Sequence, residues 1–552
     1  MISIQNNYFY DKILLGDNMK KRLINFLITL IVGAVVYYFA LPAINLNNMG
    51  FYMYVFFLVF VFGILDTISS AKSPILLRKG HILSKSEISP VLAVSITGIL
   101  FTFIFISIVN FICSPVFNAK SYQARIVVDE TGNFTEDIEE VNFNQLPLLD
   151  RKSSEVLGDR VMGQMSELVS QYSVSNLYTQ INYNDSIIRV TPLEYADAIK
   201  WFTNRKAGIV GYITVDSVDG ESKLVRLDKG MKYSTSALFN ENLYRKLRFE
   251  YPTVNFGEFS FEIDNEGKPF YIVTTLDYTA VGLKAKVSGV IIFDPITGES
   301  KRYKKEDIPT WVDIAYTPEL VIEQIDDWGM YKNGFWNSIF GQKNAVNTTE
   351  GYNYLAMNDD IYLYTGITSV VSDESNLGFI LTNMRTGKTT YYAVPGAEEY
   401  SAMSSAEGQV QDMGYKSTFP LLINLNGKPT YLVSLKDSSG LVKMYGFVDV
   451  KDYQKVVVTD SSKGIITAKD NYLSSIKKEV NEDELVKKEI IVKTLSTANI
   501  NGYTYYYISD EDSKYKISIS LSDHLPFIQV GDKLGIGYYE TNEEIIEVEK
   551  IY

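Results

Sequence analysis

Residues able to carry out chemistry are scarce in this 552-residue chain. It has two histidines, His81 and His524, and a single cysteine, Cys113. The histidines stand more than 400 residues apart, in segments expected to be separate, which argues against a Ser-His-Asp triad and a multi-His zinc site. One cysteine makes no internal disulfide and no Cys-based metal site. Arg385-Thr386-Gly387-Lys388-Thr389 resembles the end of a phosphate-binding loop, but Thr382 stands where that pattern needs its first glycine, so a hairpin is expected. The acidic turns Asp264–Gly267 and Ser509–Ser513 do not continue into twelve-residue calcium loops. The carboxylate pairs Asp326-Asp327 and Asp359-Asp360 are the remaining candidates for hydrolytic work, which needs two acids facing one substrate. No catalytic residue, metal site or cofactor is expected.

The other candidate is a binding surface. Trp328, Tyr331, Phe335, Trp336 and Phe340 fall within 13 residues, interleaved with Gly329, Gly334 and Gly341. Such a cluster serves either as a protein–protein patch or as a plug between neighbouring domains, and the plug is the favoured reading.

The elements that must position these residues begin with three apolar runs, at about 23–44, 51–68 and 91–113. Each is long enough to cross about 30 Å of hydrocarbon as a helix. Lys20-Lys21-Arg22 precedes the first, and the 69–89 loop carries Lys72, Arg78, Lys79 and Lys85. Positive loops stay in the cytoplasm, so the N-terminus is expected inside and residues from about 115 outside. Asp66, near the end of the second run, is expected to reach the interface. Residues 1–118 hold eight Lys/Arg against four acids; with a total charge of −14, the remainder carries −18. That balance argues against a nucleic-acid partner.

Beyond the anchor (1–118), a linker (119–184) reads as a strand over Ala119–Asp129 and an amphipathic helix over Ser153–Tyr172, capped by Asp150 or Ser153. Residues 185–303 and 359–458 then show one order of elements twice: hairpin, helix, hairpin. In the helices, Phe239, Leu243 and Leu247, and Met403, Ala406, Val410 and Met413, are expected to face the sheets. A connector (304–358) separates the copies, and a helical linker (459–485) leads to a small β-barrel (486–552) with a hairpin at Asn501-Gly502. The fold class expected is a membrane-anchored α+β protein: three transmembrane helices, duplicated antiparallel-sheet-plus-helix units and a barrel.

Gly267-Lys268-Pro269-Phe270-Tyr271-Ile272-Val273 and the phrase Asp294-Pro295-Ile296-Thr297-Gly298-Glu299 in the first copy, and Gly427-Lys428-Pro429 with Tyr431 in the second, give each copy a resemblance to PepSY-type repeats of secreted and membrane-anchored bacterial proteins. The second copy departs from it, with Phe447-Val448-Asp449-Val450 in place of that phrase. The resemblance implies a small α+β unit outside the cytoplasm, with no catalytic residues to carry over. Val530-Gly531-Asp532-Lys533-Leu534 resembles the turn before a strand in OB- or SH3-type barrels. The expected role is a non-enzymatic envelope scaffold or regulatory binding protein of the cell membrane. Its expected partners are the bilayer and other surface proteins, with homo-oligomers possible. A carboxylate-based hydrolase of peptide or glycan and a sensor subunit are the rivals.

Overall fold

The protein is described here by a computed structural model covering residues 2–70, 89–143, 146–184, 186–475, 485–500, 503–541 and 544–552. The positive loop with Lys72, Arg78, His81, Lys79 and Lys85, and the Asn501-Gly502 turn, lie outside the described residues. The chain divides into two compact units, Met1–Glu399 with Asn424–Pro429, and Tyr400–Ile423 with Thr430–Tyr552.

The first unit opens with three helices long and apolar enough to cross a membrane: Met19–Ala40, Met49–Ser70 and Pro90–Ile112. The first continues a helix that starts at Ile2. Asp66 does not reach outward as expected. It is 1% exposed and accepts from Arg22 Nε at 3.2 Å, because the first helix places a cation beside it. The expected strand over Ala119–Asp129 is instead a helix, Pro115–Gln123, followed by a strand, Val128–Gly132. Ser114-Pro115 starts that helix with proline in its first turn, a position that tolerates the missing N–H. The helix beginning at Arg151 is capped by Asp150, which accepts from Ser153 N, and ends at Gly163.

Four sheets built on antiparallel meanders follow, each preceded by a helix, and the third also takes Val128–Gly132 in parallel beside its last strand. The first sheet holds Thr179–Tyr183, Ser186–Tyr195, Ile209–Asp216 and Ser222–Met231, after the helix Arg151–Gly163. The second holds Asn255–Ile263, Pro269–Tyr278, Ala285–Phe293 and Ser300–Lys304, after Leu243–Glu250. The third holds Asn353–Met357, Asp360–Ser369, Ser372–Asn383 and Thr389–Tyr392, after Pro318–Met330. In the second unit the fourth sheet is built on Leu421–Leu425, Lys428–Lys436, Val442–Asp449 and Val456–Asp460, after Glu399–Gln409. One alternation therefore runs four times, where the sequence suggested a pattern seen twice.

The last hairpin of each sheet closes with one local device. Asp216, Asp294, Asn383 and Asp449 each end a strand, and the side-chain oxygen of each accepts from the amides two and three residues on, at 2.7 to 3.2 Å. The first three turns then need a left-handed residue, supplied by Gly220, Gly298 and Gly387 at φ +82°, +79° and +73°. The fourth turn is one residue longer, with the Asp449 amide bonding to Lys455 O. Asp449 thus performs the turn-making job of Asp294 without the surrounding phrase.

The first two sheets share one core. Leu243 and Leu247 from the second helix pack there with Ile213, Phe261, Tyr271 and Phe293. Phe239, expected on the same stripe, is 60% exposed, because the helix proper starts only after the Asn242 cap. The second sheet is buried on its other face as well, where Ile272, Val290 and Ile292 meet Val312 and Ala315. Burial on both faces explains its unbroken apolar run Val290–Phe293. In the third core Val321, Ile325 and Trp328 pack on Ile361, Leu363 and Ile380.

In the second unit Ala402, Ala406 and Val410 are the buried face of the fourth helix, while Met413 is exposed. The helix Ile465–Ser475 sets Tyr472 against Phe447 at 5.5 Å. The C-terminal segment departs from the expected closed barrel. It forms a three-stranded sheet (Val486–Ile491, Lys533–Tyr538, Lys550–Ile551) and a four-stranded one (Thr494–Ile500, Tyr503–Ser509, Lys514–Ser518, Ile545–Val548) around one core. No ladder joins them among the described residues.

A graded glycine series tests the repeated turn. Alanine at Gly220 meets only the tips of Leu149 and Leu157, so the strained φ dominates and costs about 1 kcal/mol. A methyl at Gly298 would overlap the Tyr233 ring, and Gly298→Ala is expected to lower the melting temperature clearly more than Gly220→Ala.

Candidate functional site

A cleft of about 1160 Å³ lies at the end of the first apolar helix. Tyr38 forms one wall, Arg245, Lys246 and Phe249 a second, and Lys268, Phe270, Asp294, Lys301 and Tyr303 of the second sheet a third. The walls are fixed by a direct tie between the helix end and the sheet unit. Arg245 Nε donates to Tyr38 O (3.0 Å), with its guanidinium 4.2 Å from the Tyr38 ring centroid. Arg248, three residues along, donates to Leu41 O (3.1 Å). The Asn45–Asn48 turn is held in turn: Ile44 N donates to Pro252 O (2.7 Å), Gly282 N to Asn47 O (2.9 Å), and Asn48 Nδ2 to Asn255 Oδ1 (2.9 Å).

Charge in the cleft is unevenly committed. Lys268 pairs with Asp294 at 2.7 Å and Lys246 with Glu250 at 3.2 Å. Burial works to raise the Asp294 carboxyl, but the Lys268 ammonium and the amides of Thr297 and Ile296 outweigh it and hold it below its ordinary range. Arg245 and Lys301 have no carboxylate partner among the described residues. Their contacts are carbonyls and ring faces, with Lys301 4.6 Å from the Tyr303 centroid. Aromatic walls with two cations that no carboxylate neutralises suit an amphipathic ligand segment bearing negative charge.

The aromatic cluster expected from sequence is divided. Trp328 is 5% exposed in the third core, with Lys332 Nζ 3.7 Å over its ring. Tyr331 and Phe335 are half-buried, and Trp336 and Phe340 are exposed. It is neither one patch nor one plug: Trp328 falls on the buried face of the Pro318–Met330 helix, whereas Trp336 lies beyond its end.

The carboxylate pairs do not converge on a cavity. Asp326 accepts from the amide and hydroxyl of Thr348, both at 2.9 Å. Asp327 binds Arg125, which also reaches Glu323 at 3.0 Å and Ala285 O at 2.6 Å. Asp360 receives Arg385 Nε and Nη2, each at 2.7 Å. Gly387 closes the hairpin as expected, with its amide bonded to Asn383 O. Among the described residues no three His, Cys, Asp or Glu are grouped to hold a metal ion.

One acid pair escaped the sequence reading. Glu262 and Asp313 are 0% and 2% exposed and 51 positions apart. Glu262 accepts from the amides of Asp313 (2.8 Å) and Ile314 (3.2 Å) and from Ser260 Oγ (2.9 Å), while Asp313 accepts from Asn182 N (2.9 Å). Burial pushes Glu262 up to about 7 against those donors, and burial and then the Glu262 charge raise Asp313. The pair fastens the two sheets to the connector and opens on no cleft. It carries no sequence signal, because Glu262 continues the polar positions Glu258 and Ser260 that alternate with Phe259, Phe261 and Ile263.

No family model matches the chain, and no curated protein matches it in sequence.

The pair makes stability depend on pH. A carboxyl raised in the folded state holds its proton where the unfolded chain has released it, so its contribution is greatest below the ordinary Glu range and is lost as pH rises toward about 7. Unfolding of the detergent-solubilised protein at pH 5 and pH 7.5 is expected to show this loss, and Glu262→Gln is expected to reduce it, with the buried Asp313 carboxyl leaving a remainder.

Proposed function

We propose that the chain is a non-enzymatic, membrane-anchored binding protein of the cell envelope, and that it engages a segment of another surface protein through the cleft beside the first span. The observation that carries this reading is the cleft itself, where Arg245 and Lys301 lie against aromatic walls without a carboxylate partner among the described residues. In this reading the three apolar helices are membrane spans, the N-terminus is cytoplasmic, and residues from about 115 are extracytoplasmic. The positive Lys20-Lys21-Arg22 segment supports the sidedness. The hydrogen bonds from the Asn45–Asn48 turn to Pro252, Asn255 and Gly282 support the count of three spans, which requires that turn to share a side with the later chain. The four sheet-plus-helix modules act as the scaffold, in keeping with the PepSY-like resemblance.

The hydrolase rival needs two acids free to face a substrate. The candidates at 326–327, 359–360 and 262/313 are buried, paired or placed in turns, so binding is the better-supported reading.

A photo-crosslinking residue at Tyr303 in the full chain is expected to capture a discrete surface-protein adduct in cells. Lys301→Glu, which leaves the Arg245 tie to Tyr38 in place, is expected to weaken it strongly. Equal adducts from the same probe at exposed Lys229, on the first sheet, would count against the cleft. Protease added to right-side-out vesicles is expected to digest the chain beyond residue 120; protection until lysis would overturn the topology.

A further inference from the structure

The exposed remainder of the divided aromatic cluster has a shape of its own. Asn337–Gly341 forms a single π-helical turn. On it Trp336 and Phe340 stack with centroids 5.9 Å apart at 13°, and Trp336, Ile339 and Phe340 are 62%, 50% and 78% exposed. This knob is held in shape from beneath. Asn337 Nδ2 and Asn333 Nδ2 both donate to Lys343 O (3.0 and 2.7 Å), and Lys343 N donates back to Asn337 Oδ1 (3.2 Å). A rigid turn that presents three large apolar side chains to solvent has a partner to explain.

Its position says which. Tyr331, at the base of the knob, lies 6.3 Å ring to ring from Tyr122, whose hydroxyl donates to Cys113 O (2.9 Å), the cap of the third apolar helix. On the same connection Phe117 is 62% exposed and stands edge-on to Phe111, in that helix's last turn, at 5.3 Å. The knob therefore projects near the place where the third span would leave the hydrocarbon. At the end of the first span Phe249 repeats the arrangement, 53% exposed and 5.9 Å from Tyr37. Aromatic side chains at that depth sit among lipid headgroups.

We infer that the Trp336–Ile339–Phe340 knob inserts into the outer leaflet and seats the first unit on the bilayer. The partner is the lipid surface next to the chain's own spans. The inference rests on the three helices being spans and adds that this part of the folded region lies against the membrane.

Tryptophan emission tests it directly, because Trp201 and Trp328 are buried and Trp336 is the most exposed of the four. The full chain is reconstituted into phosphatidylcholine vesicles with and without lipid brominated near the headgroup end of the acyl chains. Flotation of the same vesicles reports anchoring separately. The expected result is bromolipid quenching of the parent that falls at least twofold in Trp336→Phe, with little quenching of the Trp336 signal by aqueous iodide. Phe340→Trp, read in the Trp336→Phe background, is expected to restore bromolipid quenching. Protein that floats while Trp336 is quenched by iodide and untouched by bromolipid overturns the knob and leaves the spans standing. Protein that does not float overturns both.

Discussion

Two arginines of one short helix hold the end of the first apolar helix, and the arrangement of the first unit depends on that hold. The last carbonyls of any helix lack intrahelical donors. Here Tyr38 O and Leu41 O receive Arg245 and Arg248, three residues apart and so on one face of Leu243–Glu250. The cations also oppose the negative end of the helix dipole. Burial of Arg248, which brings its guanidinium down to about 10, leaves it charged at neutral pH. Once these bonds are made, the Asn45–Asn48 turn lies against the start and the central hairpin of the second sheet, and the cleft forms in the angle between them. The uncharged composition of that turn then has a structural reason: its polar groups are spent on peptide groups of the folded region.

A second fastening works at the third helix. Arg125, its side chain 1% exposed, joins Asp327 and Glu323 of the Pro318–Met330 helix to Ala285 O of the second sheet, with Lys284 completing two cations against two carboxylates. A balanced, hydrogen-bonded group of this kind is the form in which charge survives burial. The negative excess of the chain consequently lies elsewhere, and the acids that looked free in the sequence are mostly structural.

The features legible in the sequence were those set by local pattern. The three apolar runs match the helices within a few residues. The Asp150 cap and the hairpin at Gly387 also followed from neighbouring residue types. Longer-range features were not legible. The cleft draws on positions 38, 245, 270 and 301, which share no motif. Glu262 and Asp313 meet only after two sheets and a connector have packed. The Ala119–Asp129 alternation misled because a few period-two residues mimic a strand, while Ser114-Pro115 just upstream starts a helix. Phe239 and Met413 carried the right spacing but fell outside the helical turns that pack.

The recurring Asp or Asn at the strand end has a consequence for how the chain acquires its structure. Each closing hairpin is specified within six or seven residues by its own side-chain cap, so its ends meet at little loop entropy cost before any distant segment is present. Neighbouring strands in these meanders are also consecutive in the chain. A growing chain can therefore complete the four-stranded meander of one sheet after another in order of synthesis, and Val128–Gly132 alone of the first strands must wait for its parallel partner Thr389–Tyr392.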